Sequence, residues 1–259
     1  MIKFFRKIRQ NLLSEGKTGK YFKYAIGEII LVVIGILLAL QINTWNQQRI
    51  EDKKETELIS ALIDEFKDNL IALEESISIN NKVTESCINL TQIIRSDSLA
   101  KKHEQVDELL LAIGNFHSFD ARVGISNEIV NSGKLSLLKN EALRVQLSDW
   151  LKNISDDEED FRFRADNYTI NLMPFLMKRF PLANGELTKK LPFDRNNSLK
   201  VYKEASPFKF NLSRTDLMEL ENQVWHHKHN NDYIVINEGN LKEFILATID
   251  MLEQELKKG

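Results

Sequence analysis

An uninterrupted apolar run near the N-terminus constrains the fold of this chain more than any other feature. From Ala25 to Leu40 the sequence reads AIGEIILVVIGILLAL, and its only charged residue is Glu28. With amphipathic flanks the run covers residues 21–42, and a helix of that length spans about 33 Å, enough for a hydrocarbon core of about 30 Å. Aromatic residues stand at both ends, as they do at membrane interfaces: Tyr21, Phe22, Tyr24 and Trp45. The sequence therefore predicts a transmembrane helix over residues 21–43.

Two other interpretations of the run fit the sequence less well. A core helix of a soluble protein would carry a polar stripe, and residues 29–40 carry none. A cleaved signal peptide would end at small residues, but Leu37 stands two positions before Ala39 and few small residues follow. We therefore interpret the run as an uncleaved signal anchor.

The distribution of charge predicts how this anchor is oriented. Residues 1–24 carry seven Lys and Arg against one Glu, a net charge of +6, whereas the whole chain carries −3. By the positive-inside rule, residues 44–259 lie outside the cytoplasmic (inner) membrane and the N-terminus lies in the cytoplasm. Residues 1–20 also form a basic amphipathic arm suited to anionic lipid. Topology explains this basic charge, so the bilayer is the expected partner and nucleic acid is not.

The remainder of the chain is predicted to be all-α. It has only 10 Gly and 4 Pro in 259 residues, too few turn residues for an all-β fold. Apolar residues recur every three or four positions, which predicts long helices at about 46–95 and about 214–257. These two helices are expected to pair antiparallel. The predicted fold is an N-terminal transmembrane signal-anchor helix followed by an extracytoplasmic helical bundle built on a long antiparallel hairpin.

Shorter helices are predicted between the two long ones. Asn140 is a suitable N-cap, and Ser155 with Glu158 forms an S-x-x-E capping box, which predicts a new helix at about 156–172. Ser213 with Asp216 is expected to cap the last helix. All four prolines fall between residues 174 and 207, so an irregular loop is predicted at about 181–212.

Polar residues interrupt the apolar stripe of the last predicted helix. His227, Asn231 and Glu238 occupy stripe positions that are otherwise apolar. In the antiparallel pairing these side chains would face the first long helix. We therefore predict a polar or hydrated layer inside the bundle.

Few residues suggest a metal-binding or catalytic site. His226 and His229 stand at i and i+3 and are candidate metal ligands, with Asp232 or Asn230 available to complete the site. A catalytic zinc usually has a third protein ligand, and no H-E-x-x-H pattern occurs. The single cysteine excludes an internal disulfide framework. Nucleotide-binding and hydrolase fingerprints are missing, so neither a cofactor nor an enzymatic activity is expected.

Within the predicted span, Glu28, Gly35 and Ala39 share one helical face. Gly35 and Ala39 form a small-xxx-small pair that permits close helix approach, and an intramembrane carboxylate is costly without a partner. One interpretation is an interface with a second copy or another membrane protein, with Glu28 as a polar contact. The other is that Glu28 reaches the headgroups or pairs with Lys20 or Lys23.

The N-terminal residues resemble a known family. The stretches FFRKIR (4–9), KYAIGEI (23–29), VVIGIL (32–37) and ALQINTWN (39–46) are similar to the N-terminal signature of an uncharacterised bacterial family. The segment SGKL (132–135) with Leu138, Asn140 and Leu143 resembles its middle part. The resemblance implies a single-pass membrane protein with a helical body and no assigned activity.

These features favour a non-enzymatic protein. The leading interpretation is a membrane-anchored interaction or scaffold protein. The alternative is an extracytoplasmic ligand-sensing domain, which would have to signal through a partner because only about 20 residues are predicted to be cytoplasmic. A third, a metal-dependent activity, depends on residues 226–229 alone.

Overall fold

The computed structural model of the chain describes residues 18–187 and 202–258, and the regular elements in these ranges are all helical. The α-helices are α1 (Thr18–Arg95), α2 (His103–Ile113), α3 (Gly124–Asn131), α4 (Glu141–Asn167), α5 (Met173–Arg179) and α6 (Arg214–Leu256). Short 3₁₀ turns occupy Leu99–Lys101, Lys134–Leu137 and Leu182–Glu186, and a π-helical turn occupies Tyr168–Leu172. The prediction of an all-α chain is confirmed for the described residues.

The chain divides into two compact units, Met1–Glu57 and Leu58–Gly259. In the first unit, α1 contains the apolar run, and every side chain from residue 29 to residue 40 is exposed. Within the described ranges this is the one helix long and apolar enough to cross a membrane. The prediction of a long apolar N-terminal helix is therefore confirmed.

Two of the predicted segments fall partly outside the described residues. The basic arm at 1–20 is described only from Thr18 onward, and the loop at about 181–212 is described only before 188 and after 201. In the described part of that loop, Gly185 approaches α2 closely, since a Cβ there would lie 2.8 Å from the Asp107 carbonyl oxygen. The lack of a side chain at Gly185 therefore allows this contact.

The second unit has two apolar clusters, and α1 and α6 contribute to both. α3 and α4 complete the first cluster, whereas α2, the π-helical turn and α5 complete the second. Trp150 is fully buried in the first cluster, with its ring 5.0 Å from the Phe66 ring and 6.2 Å from the Phe244 ring. The second cluster contains Cys87 and Tyr168, among other residues. Along α1, the last fully buried member of the first cluster is Leu73, and the first of the second cluster is Val83. The intervening positions place polar side chains between the two apolar clusters.

The contacts between the long helices have a consistent order. Ion pairs join Lys67 to Glu253 at 2.7 Å, Glu74 to Lys242 at 2.7 Å and Arg95 to Glu221 at 2.6 Å. Residue numbers rise along α1 as they fall along α6. Within the second unit these stretches of the two helices therefore run in opposite directions.

Local capping rules account for two helix starts. Asn140 caps α4 by accepting from the Leu143 amide at 3.3 Å, as predicted. Ser213 caps α6 in a complete capping box with Asp216, also as predicted. α6 then continues through Gly239 to Leu256 without interruption.

The predicted helix start at Ser155 is wrong. α4 runs without a break from Glu141 to Asn167, so Ser155 and Glu158 lie in its interior. Ile154 before this point and Asp157 after it are both buried, so the same face of the helix continues to pack. This tertiary packing outweighs the weak preference of Ser and Asp for helix ends.

Candidate functional site

A layer of buried polar side chains separates the two apolar clusters of the second unit. Its fully buried members come from α1, α4 and α6: Ser76, Asn80, Arg164, His227, Asn231 and Glu238. The structure thus places the three stripe residues predicted from α6 in one layer, together with three side chains that the sequence analysis did not single out. Burial of charged and amide groups is costly unless they are hydrogen-bonded, so their contacts define what the layer can do.

Arg164 is the buried cation of this layer. Its Nη1 donates to the Asn231 side-chain oxygen and, at 3.0 Å, to Asn80 Oδ1, while Nη2 donates to the His117 carbonyl at 2.7 Å. The Phe116 ring lies 4.8 Å from its guanidinium carbon and adds a cation–π contact. Burial lowers the pKa of Arg164 to about 10, so the side chain stays charged at neutral pH.

Glu238 is the buried acid of the layer. It accepts from the Ser76 hydroxyl, and Asn80 Nδ2 lies 3.1 Å from each of its carboxylate oxygens. Burial is the main cause that raises the pKa of Glu238, against the hydrogen bonds and the charge of Arg164. Asn80 therefore bonds the cation through its oxygen and the acid through its nitrogen, which makes it the central residue of the layer.

His227 is held as a neutral imidazole. Its Nε2 lies 3.2 Å from the Ile113 carbonyl oxygen, so Nε2 carries the proton and donates. Nδ1 is buried and has no hydrogen-bond partner among the described residues. Burial, and then the charge of Arg164, lower the pKa of His227 to about 4. At neutral pH this histidine therefore adds no charge to the layer.

Two asparagines of α1 clamp the irregular segment at 115–123. Asn80 Oδ1 accepts from the His117 amide at 3.0 Å, and Nδ2 lies 3.2 Å from the His117 carbonyl. Asn69 makes the same pair with Arg122, in which both distances are 2.7 Å. Each asparagine thus pairs with the N–H and the C=O of one backbone residue that lies in no helix or sheet.

A third polar residue on the same face of α1, Glu65, caps the N-terminus of α3. The Glu65 carboxylate accepts from the backbone amides of Ile125 at 2.6 Å and Ser126 at 3.0 Å. A carboxylate at a helix N-terminus satisfies free N–H groups and complements the helix dipole. Glu65 therefore positions α3, whose own N-cap residue, Val123, provides no side-chain cap.

The sequence contained a signal for part of this layer. Glu65, Asn69, Ser76 and Asn80 follow gaps of four, seven and four residues, which is the helical spacing that identified the apolar stripe. Arg164 and Asp157 continue the stripe of α4 beyond Ile154, but the predicted helix break at residue 155 hid this continuation. The partners of Arg164 come from distant segments, and no local pattern indicates them.

Asp157 lies at the edge of this layer and is the most perturbed carboxyl described here. Its side chain is 6% exposed, and Oδ1 has no hydrogen-bond partner among the described residues. Burial, followed by the charges of Glu238 and Asp160, raises the pKa of Asp157 to about 7. The nearby charge of Arg164 lowers this pKa but does not offset the other effects.

Replacing Asp157 with asparagine is expected to stabilise the protein at pH 8 by about 1–2 kcal/mol. An unfolded aspartate has a pKa of about 3.9, so the folded chain binds the extra proton between about pH 4 and pH 7. Stability contributed by the protonated carboxyl is present below pH 4 and is lost as the pH rises through 7. The gain should therefore shrink towards pH 4.

The measurement is urea unfolding of the full chain in detergent micelles, followed by circular dichroism at several pH values. Asp166→Asn, on the exposed opposite face of α4, is the matched control and should show no such change. A difference between wild type and Asp157→Asn that stays constant from pH 4 to pH 8 would contradict the prediction.

The two candidate metal ligands lie in different surroundings. The nearest nitrogen of the His226 ring, Nδ1, is 2.8 Å from Asn167 Nδ2, so that ring nitrogen accepts from the amide. The His229 ring stacks on Trp225 at 5.3 Å and meets the edge of Tyr233 at 5.0 Å. Across residues 18–187 and 202–258, no group of three or more His, Cys, Asp or Glu side chains is arranged to hold a metal ion.

The candidate interface residues of the first unit share an open helical face. Gly35 and Ala39 are exposed and Glu28 is half-buried. A Cβ added at Gly35 would meet no atom within 4 Å. This face of α1 can therefore approach another helix closely.

One family model matches part of the chain. Residues 28–155, just under half of the chain, match DUF6090, a family of unknown function. This match confirms the expected similarity to an uncharacterised domain family. No curated protein and no solved structure matches the chain.

Proposed function

We propose that the chain is a single-pass protein of the cytoplasmic membrane that presents a helical domain outside it. Residues 21–43 form the signal anchor, the basic arm at 1–20 is cytoplasmic, and residues 44–259 form the extracytoplasmic domain. The observation that carries this proposal is the uniform exposure of the apolar side chains from residue 29 to residue 40. Water would hydrate them at high cost, whereas lipid is their natural solvent.

The domain is proposed to be a bundle built on a long antiparallel hairpin of α1 and α6. The opposite order of the ion pairs between these helices supports this arrangement. Contacts between α4 and α6, such as the bond from Gln146 to Thr248 at 3.0 Å, add a third helix to it.

We infer that the protein acts as a scaffold that binds partners, without an enzymatic activity of its own. In the membrane, Glu28, Gly35 and Ala39 would contact a second copy of the chain or another membrane protein. Outside the membrane, α6 exposes Trp225, Tyr233 and Ile236, large apolar side chains that suit a protein interface. The buried polar layer would keep the helices of this scaffold in one register.

Crosslinking in native membranes tests the intramembrane interface. Gly35→Leu fills the open space on this face and should lower the yield of crosslinked complexes about fivefold, equivalent to ~1 kcal/mol of helix association. Glu28→Leu should lower the yield as well if its carboxyl is a polar contact. The crosslinked partner, whether a second copy or another protein, is then identified by mass spectrometry.

Val33→Leu is the control because residue 33 projects from the opposite side of α1. It should leave the crosslinking yield unchanged. Equal yields for wild type, Gly35→Leu and Glu28→Leu would reject the interface and leave Glu28 to the lipid headgroups or a neighbouring lysine.

A further inference from the structure

A surface cleft opens between α4 and α6, within the second unit. Its volume is about 410 Å³, which is in the range of small-molecule sites. Its lining combines polar and apolar residues: Asn153, Asp156, Asp157, Asn237 and Asn240 with Leu241 and Phe244. Amide groups, carboxyl groups and an aromatic ring thus border one space large enough for a ligand.

The charges around the cleft are one-sided. Two carboxylates line it, and among the described residues no Lys, Arg or His does. Asp160 and Glu238 lie close enough to act on the charge of Asp157. Arg164, the buried cation on this side of the layer, directs its Nη atoms to Asn80, Asn231 and the His117 carbonyl. The charge of Arg164 also acts on Asp157, but the acidic groups around the cleft outnumber this cation.

Asp157 lines this cleft. The residue is more than nine-tenths buried, and its Oδ1 is out of contact with solvent and has no hydrogen-bond partner among the described residues. A buried acceptor without a donor costs about 1–3 kcal/mol, so a small rotation of this side chain that lets a ligand donate to Oδ1 would recover part of that cost. Asn237 gives its amide nitrogen to Asp160, which leaves its side-chain oxygen free to accept from the same ligand.

We propose that the cleft binds a small organic cation that carries a primary ammonium group. The ammonium ion would donate to Asp157 and to asparagine oxygens, and its methylene groups would pack against Phe244. An aromatic wall beside a carboxylate favours organic cations through combined cation–π and ionic attraction. This site is independent of the membrane anchor and of the intramembrane interface.

The lining favours an ammonium ion over a metal ion. Ca²⁺ takes six to eight oxygen ligands, with several carboxylates among them, and Mg²⁺ requires near-octahedral geometry. The part of the chain that the structure describes holds no cluster of three acidic or metal-binding side chains suited to an ion. An ammonium group needs only two or three acceptors, which this cleft supplies.

Titration calorimetry on the full chain in detergent micelles tests the proposal, with 1,4-diaminobutane as the probe. We expect saturable binding of the diamine and none of 1,4-butanediol, its uncharged counterpart of similar length. Binding of Ca²⁺ or Mg²⁺ without binding of the diamine would overturn the proposal, as would the absence of diamine binding.

Two variants place the binding in the cleft. Asp157→Asn should weaken binding at least tenfold, whereas Asp166→Asn on the far face of α4 should leave it unchanged. Asn240→Lys introduces a competing ammonium at an exposed position and should abolish binding while unfolding stays unaltered. Full binding by the Asn240→Lys variant would show that the diamine binds elsewhere and would refute the site.

Discussion

Replacing Arg164 with alanine is expected to lower the free energy of unfolding by about 3–5 kcal/mol, the cost of breaking a buried charged network. Removal of the guanidinium leaves the Asn231 side-chain oxygen without its donor and takes one of two donors from Asn80 Oδ1 and from the His117 carbonyl. It also leaves Glu238 buried without the cation that favours its charged form. Each of these groups then bears a desolvation cost that the native structure offsets.

Chemical denaturation of the full chain in detergent micelles, followed by circular dichroism, measures this loss. Arg162→Ala removes an arginine two positions away that is exposed on the same helix, and it should change stability by less than about 0.5 kcal/mol. Equal effects of the two substitutions would show that the polar layer does not hold the second unit together. The same measurement on Glu238→Gln gives the contribution of the acid. If Arg164→Ala lowers the free energy of unfolding more than Glu238→Gln does, the cation is the main contributor to the layer.

Introducing two arginines in the apolar run should release the protein from the membrane. Val33→Arg and Ile34→Arg together place two charges near the centre of the predicted span, and each costs about 2.5–3.5 kcal/mol on the insertion scale. The native side chains at both positions are exposed and apolar and belong to neither apolar cluster of the second unit, so the substitutions leave its core intact. Any effect is therefore an effect on the interaction with lipid.

Alkaline carbonate extraction of membranes reads out this change. Wild-type protein should stay in the membrane pellet, and the double variant should appear in the supernatant or be degraded. Ile50→Arg, exposed in the same helix but beyond the predicted span, is the control and should remain in the pellet. Retention of the double variant in the pellet would contradict a transmembrane anchor at residues 21–43.

Local rules predicted the last helix well. The expected range of about 214–257 differs by one residue from Arg214–Leu256, because the Ser213–Asp216 capping box and the apolar spacing are both encoded in neighbouring residues. The same rules failed at Ser155, where a similar motif, Ser155 with Glu158, lies inside α4. There the packing of the flanking face decides the structure, and no short window of sequence contains that information.

Only the α6 residues of the polar layer could be predicted from the sequence, for a related reason. His227, Asn231 and Glu238 were visible as polar positions in an apolar stripe. Their partners were not, since the sequence placed Arg164 in a separate helix at about 156–172 and not on the continuation of α4. His117 contributes through its backbone, which no side-chain pattern reveals. The cleft beside Asp157 likewise depends on how α4 and α6 face each other, a relation that appears only in three dimensions.

The two asparagine contacts relate a length of α1 to a length of the segment at 115–123. Asn69 and Asn80 are eleven residues apart, and a helix rises about 16.5 Å over that interval. Their backbone partners, Arg122 and His117, are five residues apart, and a fully stretched chain covers about 16.5 Å in five steps. The two lengths are similar, which fits a nearly extended segment beside α1. A deletion between the two backbone partners would therefore disturb at least one of the two asparagine contacts.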